Sequence, residues 1–320
     1  MKLGVLTRVL GHVSLPEALD YLANLGVDTV ELASGNYVGN QHCNPDLLLN
    51  DQRAFDEFRR TLKERGFTIS ALSCHGNPVH PDSAFAASHH EAHLKTIRLA
   101  HKLGVGVVNC LSGCPGDRDD AKCPNWISSP WPPEFSEALT WQWEEKLIPY
   151  WRGVASFAAD QGVRLGIEMQ PGMSVYNPAT LLRLRDACGP ALGANFDPSH
   201  FFWQGIDPVA AIRALGPAIH HAHAKDSKVH QPVVTVNGIF DTKSYTDALN
   251  RAWIFRTVGY GHGPEVWNDI ISTLRMIGYD YVISIEHEDN LISADEGLRK
   301  AIAFMKEALL TTRPEQVWVV

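Results

Sequence analysis

The sequence predicts an α/β protein whose parallel sheet closes into a (β/α)8 barrel, a single domain with extended loops on the carboxyl-terminal face of the strands. Short apolar, β-rich runs alternate with longer helical stretches from one end of the chain to the other. Eight such runs are present, the number that lets a parallel sheet close on itself. Glycine usually separates a helix from the next strand, as in Leu25-Gly26-Val27-Asp28, Arg65-Gly66-Phe67, Leu103-Gly104-Val105, Gln161-Gly162-Val163 and Ile277-Gly278-Tyr279-Asp280. Glycine just past a helix end takes the left-handed cap conformation at little cost. An open doubly wound sheet is the alternative. No Gly-x-Gly-x-x-Gly follows the first strand, which weakens a dinucleotide-binding version.

In chain order, the predicted strands are 2–7, 28–33, 68–73, 105–111, 164–169, 192–197, 219–225 and 280–286. The clearest helices are 14–25, 51–65, 89–103, 138–161, 177–188 and 294–309, and the shortest is 208–215. Two connections exceed what a simple barrel needs. One spans 112–135 and carries Asn125-Trp126-Ile127-Ser128-Ser129-Pro130-Trp131-Pro132-Pro133; the other spans 227–264. Both leave carboxyl ends of strands, where barrel active sites sit, so they are expected to wall or cover a pocket. No domain boundary or short repeat interrupts the chain, and one domain is expected over 1–320.

Composition narrows the function. The 320 residues are 45% hydrophobic and 20% charged, as in an ordinary globular enzyme and unlike disordered or collagen-like chains. A net charge of −8 without a run of Lys or Arg argues against a nucleic-acid surface and for a small substrate. The apolar start 1–7 is too short for a signal peptide and is interrupted by Arg8, and no window is long enough to span a bilayer. Cysteines 43, 74, 110, 114, 123 and 188 are irregularly spaced. Without a Cys-x-x-Cys pair, a zinc site at Cys110, Cys114 and Cys123 is disfavoured against reduced thiols, and a cytoplasmic location is expected.

The chemistry gathers at the ends of the last four strands. They read Gly166-Ile167-Glu168-Met169-Gln170, Asn195-Phe196-Asp197-Pro198-Ser199-His200, His220-His221-Ala222-His223-Ala224-Lys225-Asp226 and Ser284-Ile285-Glu286-His287-Glu288. An ionised carboxylate at the end of a buried strand is costly unless it is paired or bound to a cation. A salt bridge would explain one such residue but not four successive strands ending in Glu, Asp, His and Glu. Neighbouring strands lie about 5 Å apart, so these groups can converge on one point. Three carboxylates and an imidazole suit one divalent ion, Mn2+ first, with Mg2+, Co2+ or Zn2+ also admitted.

On Gly166-x-Glu168, Asp197-Pro198-Ser199-His200, His223-Ala224-Lys225-Asp226 and the 284–289 segment, nearly the whole chain resembles the xylose isomerase-like TIM barrel superfamily of sugar phosphate isomerases and epimerases. The resemblance implies that Glu168, Asp197, His223 and Glu286 bind the metal and that Glu168 and Glu286 flank the reacting carbon as acid and base. It selects His223 as the strand-seven ligand. Strand alternation points His221 to the same side, so His221 is either a deeper residue or the ligand in its place. The resemblance also implies contacts from His200 and Arg256 to substrate oxygens. Lys225 and Asp226 are expected to pair and fix their loop, with Lys225 also a substrate-binding candidate. His75 is a candidate for lining the pocket, and Trp126, Trp131 and Trp203 are candidates for stacking on a sugar ring or an aromatic aglycone.

A cation at such a site polarises a carbonyl, while a carboxylate removes the proton on the neighbouring carbon. The expected activity is sugar or polyol isomerisation or epimerisation through an enediolate. A lyase or dehydratase acting on a keto-sugar or keto-inositol is the alternative, including cleavage of 3-oxo-glycosides in the manner of bacterial C-glycoside deglycosidases. Endonuclease IV shares the barrel, but the strand-four exit 108–114 lacks the histidine its three-zinc site needs. A non-catalytic scaffold fits poorly with four intact ligands. No nucleic-acid or membrane partner is expected; the sequence leaves the oligomeric state open and admits a homo-oligomer or a small partner subunit.

Overall fold

A computed structural model describes residues 1–312; the end of the expected domain, 313–320, lies outside them. All eight predicted barrel strands are present, in chain order β1 (Lys2–Leu6), β2 (Thr29–Ala33), β3 (Thr68–Ser73), β4 (Val107–Leu111), β5 (Arg164–Glu168), β6 (Leu192–Phe196) and β7 (Ile219–Ala224), closed by β10 (Val282–Ile285). Around the barrel they run β1-β10-β7-β6-β5-β4-β3-β2, and every barrel pairing is parallel. The protein is a TIM barrel. Helices α1 (Leu15–Asn24), α2 (Pro45–Asn50), α3 (Gln52–Glu64), α4 (Ser83–Leu103), α5 (Pro133–Trp141), α6 (Ile148–Asp160), α7 (Pro178–Cys188), α8 (Ser199–Phe202) and α9 (Pro208–Leu215) cover it. They are completed by α11 (Pro264–Met276) and α12 (Ala294–Ala308).

Local chemistry explains the boundaries. Ser14 and Glu17 form a reciprocal capping box at the start of α1, and Asp51, Asp207 and Ser293 cap α3, α9 and α12. Gly26, Gly66, Gly104, Gly162 and Gly278 all have φ between 67° and 88°, the left-handed conformation their positions required. The helix predicted over 138–161 is instead α5, a wide turn over 142–147 and α6. Within the wide turn, Gln142 Nε2 donates to the Gly116 and Asn125 carbonyls (2.9 and 2.7 Å) and pins the 112–135 connection.

The 227–264 connection is not plain loop. Strands β8 (Asp226–Val229) and β9 (Trp253–Arg256) pair antiparallel, with α10 (Gln231–Asn237) between them. Phe240 in this insertion meets Trp126 of the other long connection edge-on at 6.2 Å. The two insertions therefore touch above the ends of the strands.

Strand alternation divides apolar from polar residues. Val30, Leu32, Val108, Cys110, Ile167, Ala194, Ala222, Ile283 and Ile285 belong to the apolar layer beneath the helices. Glu31, Asn109, Glu168, Asn195, His221, His223 and Ser284 are buried and bond to one another, including across the barrel between strands that are not neighbours. Such interiors are usually packed with branched apolar side chains; here polar groups fill much of the space. Gly166 makes room for them, since a Cβ there would lie 2.5 Å from Asn109 Oδ1. Among the described residues no helix is long and apolar enough to cross a membrane.

Substituting Gly166→Ala is expected to cost about 1–3 kcal/mol, read as a lower urea midpoint, because the locked Asn109 cannot move aside. A second expectation concerns acid. His93 lies on the buried face of α4, with Nε2 2.9 Å from the Cys74 carbonyl and Nδ1 3.1 Å from the Tyr150 hydroxyl, and burial pushes its pKa down to about 3. The unfolded chain takes up that proton near pH 6.5 and the folded chain refuses it, so this stability is full above pH 6.5 and is lost as pH falls. Between pH 6.5 and 5 the wild type should lose about 2 kcal/mol more than His93→Gln, measured by denaturant titration at each pH.

Candidate metal and active site

Four side chains converge at the carboxyl-terminal mouth. Glu168 ends β5, Asp197 follows β6, His223 lies near the end of β7 and Glu286 follows β10. One ligand atom from each lies within 4.8 Å of those of the other three. Around the barrel, β7 and β6 stand between β10 and β5, so His223 and Asp197 arise between the two glutamates.

Each group has defined support. Glu168 is met by His75 Nε2 at 3.1 Å, His200 Nε2 at 3.3 Å and His223 Nδ1 at 3.3 Å, and accepts from Asn195 Nδ2 at 3.0 Å. Burial raises its pKa, but His75 and the hydrogen bonds from His200 and His223 outweigh that and hold it well below the usual carboxylate range. Glu286 lies 3.2 Å from Lys225 Nζ; burial opposes its ionisation, and chiefly Lys225 brings its pKa down to about 2. Asp197 is the exception. Burial, with repulsion from Glu168 and Glu286, raises its pKa despite His200 and Lys225. Its Oδ1 caps the Ser199 N–H at 2.8 Å, while its buried Oδ2 has no hydrogen-bond partner. Glu286 Oε2 sits 2.9 Å from His223 Nδ1 but out of line for a hydrogen bond. Two buried carboxylate oxygens with unused lone pairs, beside a third carboxylate and an imidazole nitrogen, fit a divalent cation.

His221 and His223 both point into the barrel, as alternation required, and they separate by depth. His221 bonds to Asn195 Oδ1 at 3.1 Å and approaches Asn109, Ser70 and Ser284, outside the four-residue group. His220 turns away, with Nδ1 2.9 Å from the Leu165 carbonyl.

One participant went unnoticed in the sequence. Glu31, in the middle of β2, is fully buried, and both its oxygens lie 3.0 Å from His223 Nε2. Ser73 Oγ and Asn109 Nδ2 also donate to it. Burial works against its charge, yet His223, His221 and these donors hold its pKa low. Glu31 thus takes the Nε2–H of His223, while Nδ1, which here donates to Glu168, would give up its proton to ligate a cation, as in a carboxylate–histidine–metal triad. The available signal was a glutamate flanked on both sides by apolar residues within a strand, Val30-Glu31-Leu32.

The other candidates divide. His75 and His200 reach Glu168 directly. The expected pairing of Lys225 with Asp226 is corrected: Lys225 bridges Glu286 (3.2 Å) and Glu288 (2.9 Å), because successive residues of an extended chain face opposite ways. Asp226 instead accepts the backbone N–H groups of Gly259, Gly261 and His262 and organises the glycine turn. Gly261 is needed there, since a Cβ would lie 2.3 Å from Asp226 Oδ1. Arg256 is held by Asp289 at 3.1 Å and does not contact the four-residue group. Trp126 is half-buried between Tyr176 and Phe240, with its indole N–H buried and unpartnered. Trp131 is 73% exposed, and Trp203 stacks on Trp253 at 4.4 Å, so its ring is used in packing. Cys110 and Cys114 are buried, Cys123 is exposed, and no cysteine joins a metal-type cluster among the described residues.

The fold and the four-ligand mouth define a class of barrel enzymes. The chain belongs to the xylose isomerase-like TIM barrel family, whose model matches residues 19–308. It is 40% identical over 312 residues to the protein YfiH of Bacillus subtilis (strain 168), covering 97% of this chain and 99% of that one. It is 27% identical over 178 residues to inosose dehydratase of Bacillus anthracis (strain CDC 684 / NRRL 3495), a match to 55% of this chain and 56% of the relative. Three of the solved structures that share the fold illustrate it. They are the IOLI protein with a bound zinc atom (TM-score 0.66, 16% identity, 97% of this chain and 98% of that one), the probable 3-DHS dehydratase AsbF of Bacillus anthracis (0.65, 19%, 96% and 99%) and D-psicose 3-epimerase (0.64, 17%, 97% and 99%).

Elemental analysis of the purified protein is expected to find one divalent ion per chain. Glu31→Gln should weaken metal binding about 10–100-fold, read by titrating the stripped protein with Mn2+ or Zn2+, because the Gln amide can point an N–H at His223 and lose the charge that orients it.

Proposed function

We propose that this protein is a divalent-metal-dependent sugar or polyol isomerase or epimerase that moves a proton at a carbon next to a carbonyl. One observation carries the reading: two buried glutamates stand three strands apart at the barrel mouth, with a histidine and an aspartate from the intervening strands between them. Glu168, Asp197, His223 and Glu286 would hold the ion. When bound, a divalent cation supplies polarisation of the substrate carbonyl and stabilisation of the negative charge that develops on its oxygen.

This chain's residues do the rest. Glu168, kept ionised by its histidine contacts, accepts the proton on one side of the substrate carbon. Glu286, kept ionised by Lys225, faces the carbon from the other side. Once Glu286 has taken up a proton from solvent or a substrate hydroxyl, delivering it to the opposite face gives epimerisation and restores the carboxylate; return of the proton held by Glu168 to the adjacent carbon gives isomerisation. His75 and His200, both within hydrogen-bond reach of Glu168, orient substrate hydroxyls and relay its proton. The two touching insertions limit access of water.

A dehydratase is the second reading, favoured by the similarity to inosose dehydratase. There the same proton removal is followed by loss of a neighbouring hydroxyl, with His75 or His200 as proton donor.

Metal-loaded protein in D2O, offered a panel of ketohexoses and inososes, tests both. Deuterium entering the substrate carbon without loss of water is the expected outcome. Dehydration supports the second reading, and no exchange across the panel overturns both. Glu168→Gln and Glu286→Gln are each expected to slow exchange by about 10²–10⁴-fold, followed by NMR.

A further inference from the structure

We infer that the cleft beside the metal centre is a second substrate subsite, one that takes a neutral, flat apolar ring carried by the sugar or polyol. This deepens the proposed function and rests on it. The cleft has a volume of about 440 Å3, within the roughly 300–1,000 Å3 typical of small-molecule sites. Its lining includes Gln170, Tyr245, Phe255, Glu288 and Leu291.

Position ties this space to the chemistry. Gln170 stands two residues past Glu168, and Glu288 two residues past Glu286. The strand exits that bring the two glutamates to the reacting carbon therefore continue into walls of the cleft. Phe255 joins the two regions. Its ring stands edge-on to His200 at 5.7 Å, and Lys225 Nζ lies 4.5 Å from its centre. A substrate seated between the glutamates directs its remaining bulk here.

Chemistry narrows what that bulk is. The Tyr245 ring lies nearly parallel to Phe255, at 13° and 5.9 Å, and the Arg251 guanidinium rests 4.2 Å from its centre. Asn290 Nδ2 ties the Tyr245 carbonyl to the β10 exit at 2.8 Å. Yet Tyr245 is 51% and Leu291 56% exposed. A braced but half-exposed aromatic side chain lining a cleft offers apolar surface to a flat ring. No Lys, Arg or His lines the cleft, and its two carboxylates are engaged: Glu288 by Lys225 and Arg8, Asp289 by Arg256 and the Thr257 and Leu291 N–H groups. A phosphate or carboxylate substituent finds no free cation, so the ring is uncharged.

The test is calorimetric binding to metal-replete protein of paired methyl and phenyl glycosides of glucose, galactose, mannose and xylose, with cellobiose and glucose 6-phosphate alongside. The phenyl member is expected to bind at least tenfold more tightly than its methyl partner wherever the sugar binds. Tyr245→Ala and Leu291→Asp should each bring that ratio close to one. Equal affinity of methyl and phenyl partners overturns the subsite and leaves the sugar reading standing. Preference for cellobiose or glucose 6-phosphate over the phenyl glycoside also overturns it. If no member of the panel binds, the subsite is overturned, while the sugar reading stands or falls separately on the exchange assay with ketohexoses and inososes.

Discussion

A buried carboxylate must find a compensating charge, and the interior of this barrel is arranged around that requirement. Glu31, Glu168, Asp197 and Glu286 all lie at or near the mouth and are almost fully removed from water. Three of them are answered by histidines, amides or Lys225. Asp197 is answered only partly, and its free oxygen faces the same small volume as the lone pairs of the other ligands. Lys225, itself shared with Glu288, and the imidazoles of His75 and His223, whose pKa values the neighbouring carboxylates raise, offset much of the cluster's charge. The unused carboxylate oxygens of Asp197 and Glu286 are what make the site fit a divalent ion.

His223 links the two halves of this network. One ring nitrogen meets Glu31, which arrives from the far side of the barrel, and the other faces Glu168 and Glu286. The contact passes through the polar interior, where Asn109, Asn195, His221 and Ser284 satisfy one another in place of an apolar plug. This exchanges some hydrophobic stabilisation for orientation of the ligand set. The register irregularities in the β2–β3 and β6–β7 pairings fall next to Glu31 and Asn195, two members of the network.

Above this shared centre, the insertions individualise the protein. Strand β9 carries Trp253 and Phe255 beside the mouth, and the 112–135 connection meets the segment before it through Trp126 and Phe240. Family membership accounts for the barrel.

Much of this was legible from sequence alone. Eight alternating units, the glycines after helices and the glutamate, aspartate and histidine at the last strand ends are local signals, and the β period and strand polarity suffice to bring them to one face. Tertiary structure decided the rest. Glu31 meets His223 only because closure through β1 and β10 brings β2 within reach of β7 across the interior, and nothing nearby in sequence announces the pair. Lys225 chose Glu286 and Glu288 over its neighbour Asp226, while Asp226 turned to a backbone loop some 35 residues away. The β8–β9 pairing arises from segments separated by a long irregular stretch. Alternation tells a side chain which way to face; only the closed barrel determines what it will meet there, because those partners lie across its interior or far along the chain.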